Sequence, residues 1–159
     1  MDLNYKLYLE RANNEIKLAD IILILSNSKD IQINIFKIDE PETYYNSVIS
    51  HSYYCIFYSA KAYLLKKGIK TKAPEEHRKT YEEFKKLVER GIVDEELLKI
   101  YDYILVKAET LLGIFKTEKK KRGIFTYRKL PQTNLEPAMG SLENAKTFFK
   151  HIRKLSGEI

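Results

Sequence analysis

Apolar side chains recur along this sequence in steps of three and four residues, the period that gathers them on one face of a helix. Tyr5, Leu9, Ala12, Ile16, Ala19 and Leu23 form the first such stripe and predict a helix from about Leu3 to Leu25. It should stop in Ser26-Asn27-Ser28, whose side chains compete for helical backbone bonds. Ile31, Ile33 and Ile35 then alternate with polar residues, as in a strand. Nothing else in the chain reads as a partner strand, and a lone strand leaves its backbone groups unpaired. Lys29 to Asp39 is therefore expected to be an irregular or partly helical connection lying over a bundle.

Asp39-Glu40-Pro41-Glu42 predicts the start of a second helix: a capping side chain, a proline harmless in the first turn, and acids at the positive end of the dipole. That helix should run to Lys67 and stop at Gly68. Its middle, Ser52 to Ala60, is apolar or aromatic almost all round and belongs at the centre of the bundle. Ser52, Cys55, Ser59 and Ala62 form a stripe of small residues that admits a close neighbour, from the same chain or from a second subunit. Pro74 predicts the opening of helix 3, with Tyr81, Phe84, Leu87 and Val88 inward and Gly91 as its stop. Asp94 should cap helix 4, where Leu97, Tyr101, Ile104, Ala108, Leu111 and Phe115 keep the same spacing. Gly123 to Asn134 reads as a loop. Helix 5 should begin near Asn134 or Glu136 and turn Ala138, Leu142, Ala145, Phe149 and Ile152 inward.

The expected fold class is all-α, an antiparallel up-and-down bundle of four to five helices. One domain over residues 1–159 is expected, with an insertion or irregular connection about 27–40 and a basic hairpin about 116–134. A chain of 159 residues that is 44% hydrophobic can bury a core without disulfide or metal. The single cysteine, Cys55, excludes a disulfide framework within the chain and fits a reducing cytoplasm. Neither a signal peptide nor an apolar run near the ~20 residues of a membrane span is evident, so no membrane is expected among its partners.

Charge adds one local feature. The net charge is +6, from 28 basic and 22 acidic residues. Lys116, Lys119, Lys120, Lys121, Arg122, Arg128 and Lys129 carry much of the excess, opposed over that stretch by Glu118. Such a run neutralises phosphates, and it also serves as a solvated face with no partner at all. Phosphate-binding glycine loops and the Gly-x-Ser-x-Gly elbow are absent. His51, His77 and His151 fall on three different predicted helices with no pair at ligand spacing, so no metal and no cofactor are expected.

The second predicted helix carries a more specific signal. His51-Ser52-Tyr53-Tyr54-Cys55-Ile56-Phe57-Tyr58-Ser59-Ala60-Lys61-Ala62-Tyr63-Leu64-Leu65 resembles the signature of the HEPN family (higher eukaryotes and prokaryotes nucleotide-binding domain), in its short, stand-alone prokaryotic members. Glu10-Arg11-Ala12 with Ala19, His77-Arg78 before Phe84, Arg122 followed by Tyr127, and Ala145 with Phe148-Phe149 extend the likeness over most of the chain, Lys29 to Asp39 excepted. The resemblance implies a homodimer with polar residues near the dimer cleft, and a nucleotidyltransferase protein partner in a toxin–antitoxin-like pair. Many members cut RNA without metal, using an arginine followed four to six residues later by a histidine. Here Tyr127, Arg128 and Lys129 stand where that histidine belongs. Tyrosine, with an ordinary pKa near ~10, keeps its proton at neutral pH.

By that resemblance Arg122 would hold a nucleotide or RNA phosphate. Tyr127 would donate a hydrogen bond, stack on a base, or accept a modifying group from the nucleotidyltransferase. Lys121, Arg122, Arg128 and Lys129 form the expected ligand-binding set, and His51, facing the cleft, completes the catalytic candidates Arg122 and Tyr127. The plainer readings stand beside these. Arg122 ends a lysine-rich helix terminus where positive charge is favoured anyway, Tyr127 packs the loop, His51 is a hydrogen-bonded structural histidine, and His77 is a surface or capping residue. Three functions remain open: a nucleotide- or RNA-binding partner of a nucleotidyltransferase, a divergent metal-independent ribonuclease, and a non-catalytic protein-interaction module.

Overall fold

The computed structural model describes residues 4–113 and 135–158. It is all-helical: α1 (Asn4–Ser26), a π-helical turn (Ile31–Ile35), α2 (Tyr45–Lys66), α3 (Glu76–Glu89), α4 (Glu95–Leu112) and α5 (Leu135–Leu155), with no strand among the described residues. The predicted inward stripe of α1 is buried from Tyr5 to Ala19, and Leu23 packs partly buried against the core. Asp94 caps α4 by accepting from the Glu96 N–H at 2.9 Å. All five positions expected to face inward on α5 are buried. Its Pro137 lies in the first turn, where the missing N–H costs nothing.

Helix α2 is the hub and packs against every other α-helix described. Ser26 lies beside Tyr44, Glu15 beside His51 and Tyr8 beside Tyr58, so α1 and α2 run antiparallel. Asp20 meets Lys146 at 2.9 Å, which makes α5 antiparallel to α1 and sends it the same way as α2. The small stripe of α2 is spent inside the chain. Ser52, Cys55, Ser59 and Ala62 are all fully buried, and Cys55 Sγ approaches the backbone carbonyl of Ala145 on α5 at 4.0 Å. Small side chains are what allow two helix backbones to come this close. Phe84, Tyr101 and Phe148, with ring centroids 5.4–5.9 Å apart, join α3, α4 and α5 below.

Two helix starts differ from expectation. Helix α2 begins at Tyr45 rather than at Pro41, because the backbone before it is engaged elsewhere. The Gln32 side-chain amide donates to the Glu42 carbonyl at 2.9 Å and accepts from the Glu42 N–H at 2.9 Å, while the Tyr44 N–H donates to Ser26 Oγ at 2.8 Å. Helix α3 begins at Glu76 rather than at Pro74, after Glu75 turns the chain through a left-handed conformation at φ 58°. The Lys29 to Asp39 connection, expected to be irregular or partly helical, contains the π-helical turn. Gln32 is buried, and Ile33 and Ile35 are exposed.

Candidate functional site

The outer seam between α1 and α2 is built from residues three and four apart on each helix: Tyr8, Arg11 and Glu15 on α1, and His51, Tyr54, Tyr58 and Lys61 on α2. At one level Glu15 Oε2 meets His51 Nδ1 at 2.5 Å, with both side chains roughly a quarter exposed. Toward the other end the rings of Tyr8 and Tyr58 stack at 5.9 Å, and the Arg11 guanidinium lies 5.3 Å and 5.8 Å from their centroids. Lys61 Nζ sits 5.1 Å from the Tyr8 centroid and 5.9 Å from that of Phe57. Cations over aromatic faces gain from the ring quadrupole, most where water is excluded.

Lys61 is the unusual member. Only 8% of its side chain is exposed, and it forms an ion pair with Glu76 at the start of α3. Burial and the nearby positive charge of Arg11 both push its pKa down from the ordinary lysine value. A buried ammonium beside a second cation is costly to maintain.

Here the seam opens into a cavity of about 390 Å³. Tyr8 and Arg11 from α1, Lys61 and Leu65 from α2, and Lys70, Thr71 and Lys72 from the segment before α3 line it, with Asn4 and Leu7 at its margin. Four cationic side chains therefore reach one cavity whose lining, among the described residues, contains no carboxylate. The Lys70–Lys72 wall is held in place by α3. Thr71 is buried, its hydroxyl meets that of Thr80 at 2.7 Å, and Lys79 Nζ donates to the Lys72 carbonyl at 3.1 Å.

Behind Lys61, His77 stacks on Phe57 with centroids 4.0 Å apart and meets the Tyr53 hydroxyl through Nδ1 at 2.8 Å. Burial, and then the charge of Lys61, push its pKa down to about 4. This imidazole is a neutral packing element set among aromatic rings, not the surface or capping residue expected from sequence.

Of the sequence candidates, His51 alone falls among the described residues, on the seam with Glu15. Lys121, Arg122, Tyr127, Arg128 and Lys129 lie outside them, as does the basic hairpin about 116–134. Among the described residues no group of three or more His, Cys, Asp or Glu is placed to hold a metal, and no helix is long and apolar enough to cross a membrane. Sequence reasoning passed over Tyr8, Arg11, Lys61, Lys70 and Lys72. The available signal was Lys61 itself, a charged residue inside the most apolar stretch of the chain.

The HEPN domain family model matches residues 32–111, from the π-helical turn through α2, α3 and nearly all of α4. That span is just over half of the 159 residues. The chain belongs to the HEPN family. No curated protein matches it. The HEPN match includes His51, Lys61, Lys70 and Lys72, takes in most of the connection that the resemblance had excepted, and stops before Arg122. Arg11 and the rest of α1 lie outside the matched span, although they supply one whole side of the seam. Membership in the HEPN family supports a nucleotide- or RNA-related function in general terms.

Proposed function

We propose that this HEPN protein binds nucleotide or RNA through phosphate groups and acts with a nucleotidyltransferase partner in a toxin–antitoxin-like pair. The observation that carries the reading is the convergence of Arg11, Lys61, Lys70 and Lys72 on one cavity with no lining carboxylate among the described residues. Arginine offers a planar fork to phosphate oxygens and lysine a compact point charge. Lys121, Arg122, Arg128 and Lys129 form a second basic set proposed to extend the contact along a strand. Tyr127 is the proposed acceptor of a group delivered by the partner enzyme, and the working unit is proposed to be a homodimer. Calorimetric titration with adenine nucleotides and a short RNA tests the binding. The double variant Lys70→Ala/Lys72→Ala, at two exposed positions, should weaken it at least about tenfold and flatten its salt dependence. Unchanged affinity in that variant would remove the cavity from the reading.

One observation favours a second reading, metal-independent RNA cleavage. The Glu15–His51 contact orients an imidazole on the same seam as Arg11. A histidine held by a carboxylate through Nδ1 has Nε2 left to take the proton of an attacking ribose hydroxyl. RNA left intact by the protein in the presence of a chelator, with no difference from His51→Ala, would dismiss it.

A further inference from the structure

One of the cavity's cations is already paired with a carboxylate from outside its lining. Glu76 lies against Lys61, the most deeply placed of the four cations, while Glu76 itself is about one-third exposed. We infer that the cavity takes the polyphosphate chain of a nucleoside di- or triphosphate, one of whose phosphates displaces Glu76 from Lys61. The inference rests on the phosphate-binding reading above and names the ligand class of that same site.

Charge and space both point this way. Among the described residues, four cations less the Glu76 carboxylate leave a surplus of three positive charges at the cavity, and four once Glu76 moves off. A phosphodiester within RNA brings one negative charge per nucleotide, a terminal phosphate roughly two, and each further phosphate in a chain about one more. An RNA strand spreads its charges along its length, so few can enter a single cavity of about 390 Å³. A polyphosphate concentrates the same charge in a compact chain. Arg11 and Lys61 both lie just over 5 Å from the Tyr8 centroid. Phosphates placed beside both would relieve the repulsion that the charge of Arg11 exerts on Lys61. Leu7, Tyr8 and Leu65 give the same cavity an apolar side suited to the nucleoside end.

Glu76 makes the inference separable from a purely structural account of Lys61. If the ion pair only secures α3 to α2, Glu76→Gln weakens the fold and improves nothing. If Glu76 occupies a phosphate position, the same substitution frees Lys61 and tightens polyphosphate binding. The experiment titrates AMP, ADP, ATP and inorganic tripolyphosphate, beside a six-nucleotide RNA, into the full chain in metal-free buffer. ADP and ATP are expected to bind at least about tenfold tighter than AMP, and tripolyphosphate to retain much of that gain. Lys70→Ala/Lys72→Ala should remove the gain, and Glu76→Gln should strengthen ATP binding about threefold or more in protein whose helical circular dichroism matches the parent. AMP or the RNA binding as tightly as ATP, with Lys70→Ala/Lys72→Ala weakening both, would overturn the polyphosphate inference and leave phosphate binding standing. Binding of every ligand untouched by Lys70→Ala/Lys72→Ala would overturn both. ATP binding weakened by Glu76→Gln, in folded protein, would overturn the displacement.

Discussion

The Tyr53 hydroxyl and Nδ1 of His77 share a hydrogen bond at 2.8 Å across the junction of α2 and α3. Burial holds the Tyr53 phenol far above the ordinary tyrosine range, so it keeps its proton. Burial, and then the charge of Lys61, keep the imidazole neutral at pH 7.

This pair makes stability depend on acidity in a definite window. The His77 pKa falls from 6.5 to about 4 on folding. As pH drops below 6.5 the unfolded chain takes up a proton that the folded chain refuses until near 4. The stabilisation is whole above 6.5 and is lost progressively toward 4. With the ring partly exposed, the loss is on the order of 2 kcal/mol. Urea unfolding between pH 7 and pH 4 should show it. His77→Phe keeps the stacking on Phe57, strands the Tyr53 hydroxyl at a cost of about 1 kcal/mol at pH 7, and should flatten this part of the pH dependence. A parent and variant with parallel pH profiles would refute the assignment.

Gln32 anchors the connection between α1 and α2. Its side chain is 1% exposed and makes three hydrogen bonds, to the Leu25 carbonyl and to both backbone groups of Glu42. Gln32→Leu would bury a better hydrophobe and yet take the side-chain partner from both Glu42 backbone groups, a loss of about 2–4 kcal/mol by denaturant unfolding. Ile33→Ser and Ile35→Ser, at exposed positions, should change stability by less than about 0.5 kcal/mol. The reverse ranking would mean that Ile33 and Ile35, rather than Gln32, anchor the connection.

That contrast shows where sequence reasoning reached its limit. The stripes of α1, α4 and α5 were legible because burial there follows the helical period, and Asp94 was legible because a cap is a local matter. The starts of α2 and α3 were not. Pro41 and Pro74 are sound local signals, but the long-range bonds of Gln32 override the first and the left-handed turn at Glu75 delays the second. The candidate site was legible in part. His51 was marked, whereas the cavity joins α1, α2 and the Lys70–Lys72 segment, and charges brought together from three places leave no run to notice. Lys61 was the clue on view, since lysine is seldom buried without a partner.

The small stripe of α2 yields a packing prediction. Cys55 is fully buried against the α5 backbone, and burial raises its thiol well above the ordinary cysteine range. Cys55→Leu should overfill this contact and cost about 1–3 kcal/mol. The native thiol should stay inert to a disulfide reagent and react when the chain unfolds. Rapid labelling of folded protein would show that α5 does not cover Cys55.

Tyr101 gives the opposite sign. Its ring is fully buried among Tyr81, Phe84 and Phe148, yet its hydroxyl has no hydrogen-bond partner among the described residues. A buried hydroxyl without a partner loses its hydration and gains nothing in exchange. Tyr101→Phe keeps the ring contacts and removes that cost, so it should leave stability unchanged or raise it by up to about 1 kcal/mol. Tyr53→Phe is the matched control, because its hydroxyl is paired with His77, and it should lower stability by about 1 kcal/mol. Opposite signs at two buried tyrosines would show that pairing of the hydroxyl, rather than burial of the ring, sets the outcome. A loss of 1 kcal/mol or more in Tyr101→Phe would mean that this hydroxyl has a partner after all.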